Sequence, residues 1–582
     1  MIRHVRAGTA FPFSLSSTGP SRGTFVMAVL ILVFGFYVLY PVVLIFVNSF
    51  NVAGILDPYR FSLRNWQMAF SQPGILESIG NTFLVYIAAT SVSFPLAVMI
   101  AWILARTRIP WSRGLEFMFW VSFMLPSLST TIGWTFLLDP DVGFVNQALR
   151  ALPFVGDGLF NIYSVPGIIC AHLFGNSVSQ KVMLLTPAFR NMDLSLEEAS
   201  AVSGASNLRT LMRVTLPVMI PPMVVVFMLN AVRIFQSFET ERILGTPIGF
   251  FVYSTKIFQH VRDIDPPEYG QATALASLTL LLIAAIIPLQ RWLLHRRQYT
   301  TVTSRYRPGL IHLGRAQPLA FGLVIFVVAL LTVVPVLTLV GGSFMTRVGF
   351  FQLNTVWTLN HWREVLQDRF FLQALENTLI LSTSTALISP LMFSIVAYVL
   401  VRTKWKMRAV LDSLFWLSAS IPGILAGLGL LWLFLGTPFL RPIFGTIWAL
   451  VLVTILQGKL TSTQLFKGIY LQMGDELEEA SRLSGAGWWR TYYRIWLPLI
   501  MPMLVLVGTF NFVLAAQATA GIILLASRGT VTLSILALEL MTHSDGAELE
   551  AAGIVSLVII TLTVGVALVA RRFGFRVGVV RE

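Results

Sequence analysis

Cysteine and charge are what this chain has least of. Cys170 is its one cysteine, which rules out an internal disulfide framework and any metal site built on several thiolates. Asp, Glu, Lys and Arg together make up 12% of the 582 residues, where a soluble domain carries about 25%. With 56% hydrophobic residues, that deficit excludes a soluble globular protein and implies one embedded in a membrane. The phosphate-cradling G-x-x-x-x-G-K-[ST] loop is missing: Gly458-Lys459 is followed by Leu460 and lacks the upstream glycine. No H-E-x-x-H and no pair of intramembrane aspartates occurs either.

Long apolar runs are abundant instead. A helical span needs about 20 apolar residues, and twelve spans are expected, at 25–47, 82–104, 116–137, 165–187, 217–239, 272–294, 318–341, 377–400, 411–435, 445–466, 498–524 and 551–570. The first, preceded by Arg3, Arg6 and Arg22, reads as an uncleaved signal-anchor, too long for a signal-peptide core and followed by no small-residue cleavage site. The basic loops 106–113 and 402–408 then fall on the cytoplasmic side with both termini. The net charge of +14 reflects this topology and not nucleic acid.

One polar segment occurs twice. Residues 196–217 read LEEASAVSGASNLRTLMRVTLP and residues 477–498 read LEEASRLSGAGWWRTYYRIWLP, a constant offset of 281. Earlier positions pair at 296: Trp66 with Trp362, Asn81 with Asn377, Arg106 with Arg402, Pro126 with Pro422. The first half therefore carries extra residues, assigned to the Gly-, Pro- and Asp-containing loop at 139–164. The expected fold is an all-α integral membrane protein of about twelve transmembrane helices in two tandem parallel six-helix halves. Its parts are an N-terminal cytoplasmic segment 1–24, a first half 25–294 with loop 190–217, a basic linker 295–317, a second half 318–571 with loop 471–498, and a tail 572–582.

Each copy of the motif reads as two short helices. Glu197 and Glu198, or Glu478 and Glu479, sit near the positive N-terminal end of the first. Gly204 or Gly485 permits a sharp break. Arg209 and Arg213, or Arg490 and Arg494, lie one turn apart on the second, and Leu-Pro closes the segment. A charged loop obeying the positive-inside rule explains one copy, whereas two in one register imply a common partner outside the membrane.

The Glu-Ala…Gly…Leu-Pro pattern resembles the EAA loop of permease subunits of ABC importers, over nearly the whole chain. The resemblance implies that Glu197, Glu198, Ala199, Gly204, Arg213 and Pro217, with Glu478, Glu479, Ala480, Gly485, Arg494 and Pro498, couple the chain to an ATPase. Ser200 and Ser481 replace the second motif alanine, small for small. It also implies two copies of a cytoplasmic ABC ATPase that carry the ATP and Mg, and an extracytoplasmic substrate-binding protein. No cofactor is expected on this chain, no enzyme activity of its own, and a place in the bacterial cytoplasmic (inner) membrane.

Within such permeases, Ser237-Phe238-Glu239, Leu244-Gly245-Thr246-Pro247, Pro266-Pro267-Glu268-Tyr269-Gly270 and Ser304-Arg305-Tyr306-Arg307-Pro308 are similar to those for ferric iron; fused permeases for thiamine, phosphonates or polyamines share the architecture. Ferric iron prefers oxygen ligands, and Glu239 and Glu241 are candidates, followed by His260, Asp263, Asp265 and Glu268. Contact with a binding protein or ordinary loop solvation is the plainer reading of these carboxylates, and no closed metal-site spacing exists. Polar residues in a span call for a role: Asn230, Arg233 and Gln236 in the fifth span, with Asn511 and Gln517 at the paired positions, line a pathway or join helices. His172, Asn176, Gln180 and Lys181 form a further polar stripe. A proton- or sodium-coupled carrier is the competing class; it would place carboxylates in mid-span, and here they sit at span ends.

Overall fold

The computed structural model describes residues 22–572, apart from 54–56, 151, 153–158, 194, 232–235, 296–309, 404–406, 420 and 543–546. Arg233, most of the linker and nearly all of both terminal segments therefore lie outside the described residues. Among the described residues there are helices and three isolated bridges, and no sheet. In a bilayer every backbone group must be satisfied locally, and a helix does this within one segment.

Among the described residues, eight helices are long and apolar enough to cross a membrane: Ala28–Ser49, Ile75–Arg106, Val165–Arg190, Asn207–Met228, Gly314–Ser343, Arg369–Arg402, Trp488–Ala516 and Leu549–Arg572. Two further apolar helix pairs are sharply bent, Ser112–Met124 with Ser127–Leu138 at 96° and Ile447–Gln457 with Lys459–Gln472 at 47°, and bring the spans to ten if each pair crosses once. The remaining apolar helices are Gly423–Gly436 and the start of Tyr269–His295.

The third span of each half breaks at its paired proline. Pro126 and Pro422 are the extended N-caps of Ser127–Leu138 and Gly423–Gly436. Proline lacks the N–H that would continue the preceding helix, and its ring clashes with the carbonyl four residues back. The fifth spans stop earlier than their apolar runs predict. Residues 236–238 are non-helical and precede a separate short helix at Glu239–Leu244, and Leu497–Ala516 gives way to turns that continue past 517. Hydropathy alone cannot register a turn built from apolar residues.

The halves exchange their first helices. Arg22–Ser49 packs on Tyr269–His295 of its own half and on Arg408–Ala419 and Gly423–Gly436 of the other. Val334–Ser343, at the equivalent place in the second half, packs on Ser127–Leu138 of the first half and on Leu549–Arg572 of its own. Both exchanges use glycine against proline: a Cβ on Gly133 would stand 2.6 Å from the Pro335 carbonyl oxygen, and one on Gly429 3.0 Å from Pro41 Cβ. Phe34 adds a T-shaped ring contact to Phe415 across the boundary, centroids 5.0 Å apart. Close approach of this kind is how apolar helices associate where water supplies no driving force.

Candidate functional site

The duplicated segments fold as two projections of one design. Ser195–Val202 and Glu476–Leu483 form the first helix of each, and Asn207–Thr210 and Trp488–Thr491 begin the second. Between them Gly204 and Gly485 take φ of +78° and +74°, a left-handed turn that a Cβ disfavours. The turn is closed twice over, by Gly204 N–H to Ala201 O (2.9 Å) and Ala205 N–H to Ser200 O (3.1 Å), with the same pattern from Gly485 and Ala486.

Ser200 and Ser481 do more than replace an alanine. The Ser200 hydroxyl lies 2.9 Å from the Thr210 hydroxyl and Ser481 2.8 Å from Thr491, tying the two helices together at the same place in both copies. The sequence reading missed this bond. The signal was there, because Thr210 and Thr491 also pair at the offset of 281.

Leu216-Pro217 and Leu497-Pro498 stand where the fifth spans are expected to begin and open the membrane helices starting at Leu216 and Leu497, with no sharp break from the projection before them. A π turn precedes each, at Leu211–Thr215 and Tyr492–Trp496. The wider turn accommodates a proline that lacks a donor and crowds the carbonyl four residues back. The second helix of each projection thus continues into the fifth span, as Asn207–Met228 and Trp488–Ala516.

The two roots differ. In the first half Arg106 and Glu197, 1% and 3% exposed, form a buried ion pair. Arg106 Nε bonds Glu197 Oε2 at 3.1 Å, its Nη1 reaches Met192 O at 3.0 Å, and the Thr215 hydroxyl donates to Glu197 Oε1 at 2.8 Å. In the second half the position of Thr215 is Trp496, which fills the space and offers no hydroxyl. Arg402 instead lies over the Trp496 ring, 5.1 Å from its centroid, and pairs with Asp475. Glu478 turns to the Tyr398 hydroxyl at 2.7 Å and the exposed Arg482 at 2.5 Å.

Glu198, Ala199, Arg213 and Pro217, and Glu479, Ala480, Arg494 and Pro498, are exposed, as are Gly204 and Gly485. Interleaved with them is an exposed apolar row that repeats at the same offset: Leu196 and Leu477, Val202 and Leu483, Leu208 and Trp489, Met212 and Tyr493.

A polar cavity of about 270 Å³ lies among the helices of the first half. His172, Lys181, Asn230, Gln236, Glu239 and Glu241 all line it. His172 Nε2 is 2.7 Å from Glu241 Oε1, and the Ser237 hydroxyl bonds both oxygens of the same carboxylate at 2.6 and 2.5 Å. Lys181 Nζ donates to Ser93 Oγ (3.0 Å), Ser177 O (2.9 Å) and Ser177 Oγ (2.7 Å), which is how a span tolerates an ammonium group. Glu239 faces the backbone of Ala520 in the second half. Ala520 is its own partner position at the offset of 281.

Asn511 and Gln517 do not line this cavity. Asn511 Nδ2 bonds Ser389 Oγ at 2.9 Å and Ser462 Oγ at 3.1 Å, joining three helices of the second half, and Gln517 is half-buried just past its helix end. Of the loop residues considered as iron ligands, Asp263 is held by Arg242 at 2.5 Å and Glu268 by His260 at 2.8 Å. No group of three or more His, Cys, Asp or Glu able to hold a metal occurs among the described residues.

Both halves match the family described as binding-protein-dependent transport system inner membrane component, over residues 93–299 and 390–577. The chain belongs to that family. It is an importer permease of the binding-protein-dependent type and a multi-pass membrane protein. A protein assigned to ferric transport as permease FbpB 1 in Haemophilus influenzae is 25% identical over 521 residues, covering 87% of this chain and 78% of that one. The ferric transport system permease protein FbpB of Actinobacillus pleuropneumoniae is 24% identical over 87% of this chain and 72% of its own length. A bacterial alginate ABC importer of known structure is 17% identical, with a TM-score of 0.41 over 48% of this chain and 97% of that one.

Proposed function

We propose that this chain is the permease through which an ATP-driven importer of the bacterial cytoplasmic membrane moves ferric iron delivered by an extracytoplasmic binding protein. The observation that carries the reading is the exposed apolar row present twice in one register, on the side where basic loops place the cytoplasm. Two identical ATPase subunits, bearing ATP and Mg, dock there through the positions around Glu198, Ala199 and Gly204 and around Glu479, Ala480 and Gly485. Their closure draws the projections together, and because each runs without a stop into a fifth span, the halves rock and the pathway alternates its opening.

Iron is favoured by the relatives assigned to ferric transport along 87% of the chain. Glu239 and Glu241 offer the oxygen ligands a ferric ion prefers, in a cavity among the helices of the first half. A Glu241 carboxylate already engaged by a histidine and a serine would bind weakly, which suits a permease that must release its ion.

The test is uptake of radiolabelled ferric iron into vesicles holding this chain, with and without the ATPase and the binding protein. Accumulation that requires ATP and this chain supports the proposal. No iron uptake while the ATPase still binds the chain removes iron and leaves thiamine, polyamine or phosphonate as cargo. No ATPase binding at all overturns the importer mechanism.

A further inference from the structure

The two projections share a backbone but not a surface. Val202 and Leu483 are 89% and 90% exposed, and Met212 and Tyr493 are both 59% exposed, so each pair presents the same fraction of itself. What differs is the chemistry. The first projection offers Leu208 and Met212, two flexible aliphatic chains, where the second offers Trp489 and Tyr493.

The second pair is also held ready. Trp489 and Tyr493 stack on each other with centroids 5.9 Å apart and planes 23° apart. Behind them Trp488 packs edge-on to Trp489 at 4.5 Å and stacks on Tyr492 at 5.4 Å. Tyr398 lies edge-on to Trp488 at 5.7 Å and anchors the ladder to the membrane helix Arg369–Arg402.

Trp488 corresponds to Asn207 in the first projection, and there the ladder has no base. Asn207 Nδ2 donates instead to His312 O of the linker at 3.0 Å, and Ile311 N–H donates to Arg106 O at 2.7 Å. Linker backbone therefore already occupies part of the first projection's flank.

Aromatic side chains dominate the binding energy of protein interfaces, and pre-ordered ones lose less entropy on docking than free aliphatic chains. We propose that the two projections dock their ATPase subunits unequally, the aromatic second projection holding its copy the more tightly. The occupant is one protein at both places, because four apolar pairs keep a common register; this inference rests on the importer reading above.

The test measures binding of the ATPase subunit that supports uptake to this chain in lipid nanodiscs. Wild type is expected to show two dissociation constants. Trp489→Ala/Tyr493→Ala weakens the tight site by about tenfold or more, and Leu208→Ala/Met212→Ala changes only the weak site, by about threefold or less. The swap Leu208→Trp/Met212→Tyr tightens the weak site, a gain that misfolding cannot imitate. Equal losses from the two alanine pairs, or a swap without gain, overturn the inference and leave the importer reading standing. Absence of any binding to wild type overturns both.

Discussion

Replacing Glu197 by Gln keeps the shape of the side chain and an oxygen for the Thr215 hydroxyl, but removes the charge opposite Arg106. Arg106 is 1% exposed, so water cannot substitute, and only its bond to Met192 O survives. Breaking one partner out of a buried pair costs about 3–5 kcal/mol. The surviving carbonyl contact places this case at the lower end, about 3 kcal/mol. At about 1.4 kcal/mol per tenfold, that raises the opening equilibrium of the first projection on the order of 10²-fold. The equivalent change, Glu478→Gln, loses a pairing with Arg482, which is 70% exposed, while Tyr398 can still donate to the amide oxygen. An exposed pair contributes under about 1 kcal/mol, so the second projection should open less than about fivefold more. Amide hydrogen exchange over 195–216 and 476–497, in nanodiscs, reads both numbers. Arg106→Gln/Glu197→Gln removes both charges and should recover part of the loss. Equal acceleration in the two projections, or a double variant as unprotected as the sum of its parts, would refute the assignment of a buried pair to one half only.

Two further outcomes follow from the glycines. Gly204→Ala and Gly485→Ala meet nothing within 4 Å, so their cost is the left-handed backbone alone, about 1–2 kcal/mol; Gly204→Val or Gly485→Val should leave the chain inserted and lower transport per ATP hydrolysed. Unchanged transport in both valine variants would sink the coupling role. Gly133→Ala drives a Cβ into the Pro335 backbone, whereas at Gly429 the nearest atom is the movable Ile45 Cδ1 at 2.9 Å. Thermal denaturation in detergent should therefore show Gly133→Ala the more damaging of the two, within about 1–3 kcal/mol for overpacking; the reverse order would count against the proline–glycine contact.

Much of the fold was legible because a bilayer permits few answers. Apolar runs locate the spans, and the offsets of 281 and 296 locate the repeat. What hydropathy misses is local stereochemistry and partner choice. Pro126 marks a break that a sliding window averages over, and the fifth spans have given way to non-helical backbone by 236–238 and from Gln517. The projections were readable from Gly204 and Gly485, yet the Ser200–Thr210 bond and the split between Arg106–Glu197 and Arg402–Asp475 depend on contacts no spacing rule encodes. In the polar spans, Asn230 and Asn511 read as equivalents but have different neighbours. Lys181 stands where the second half has Ser462, so one half holds a polar cavity and the other uses its asparagine to join helices.

The exchange of first helices sets a timetable for biogenesis. Pro41 leaves the ribosome nearly four hundred residues ahead of Gly429, the glycine it rests on. At about 5–20 residues per second the leading helix waits roughly 20–80 s for its seat. During that interval its unmatched face must be covered by lipid or by the insertion machinery. Once the seat arrives, each half holds a helix of the other, and neither can be withdrawn from the membrane alone.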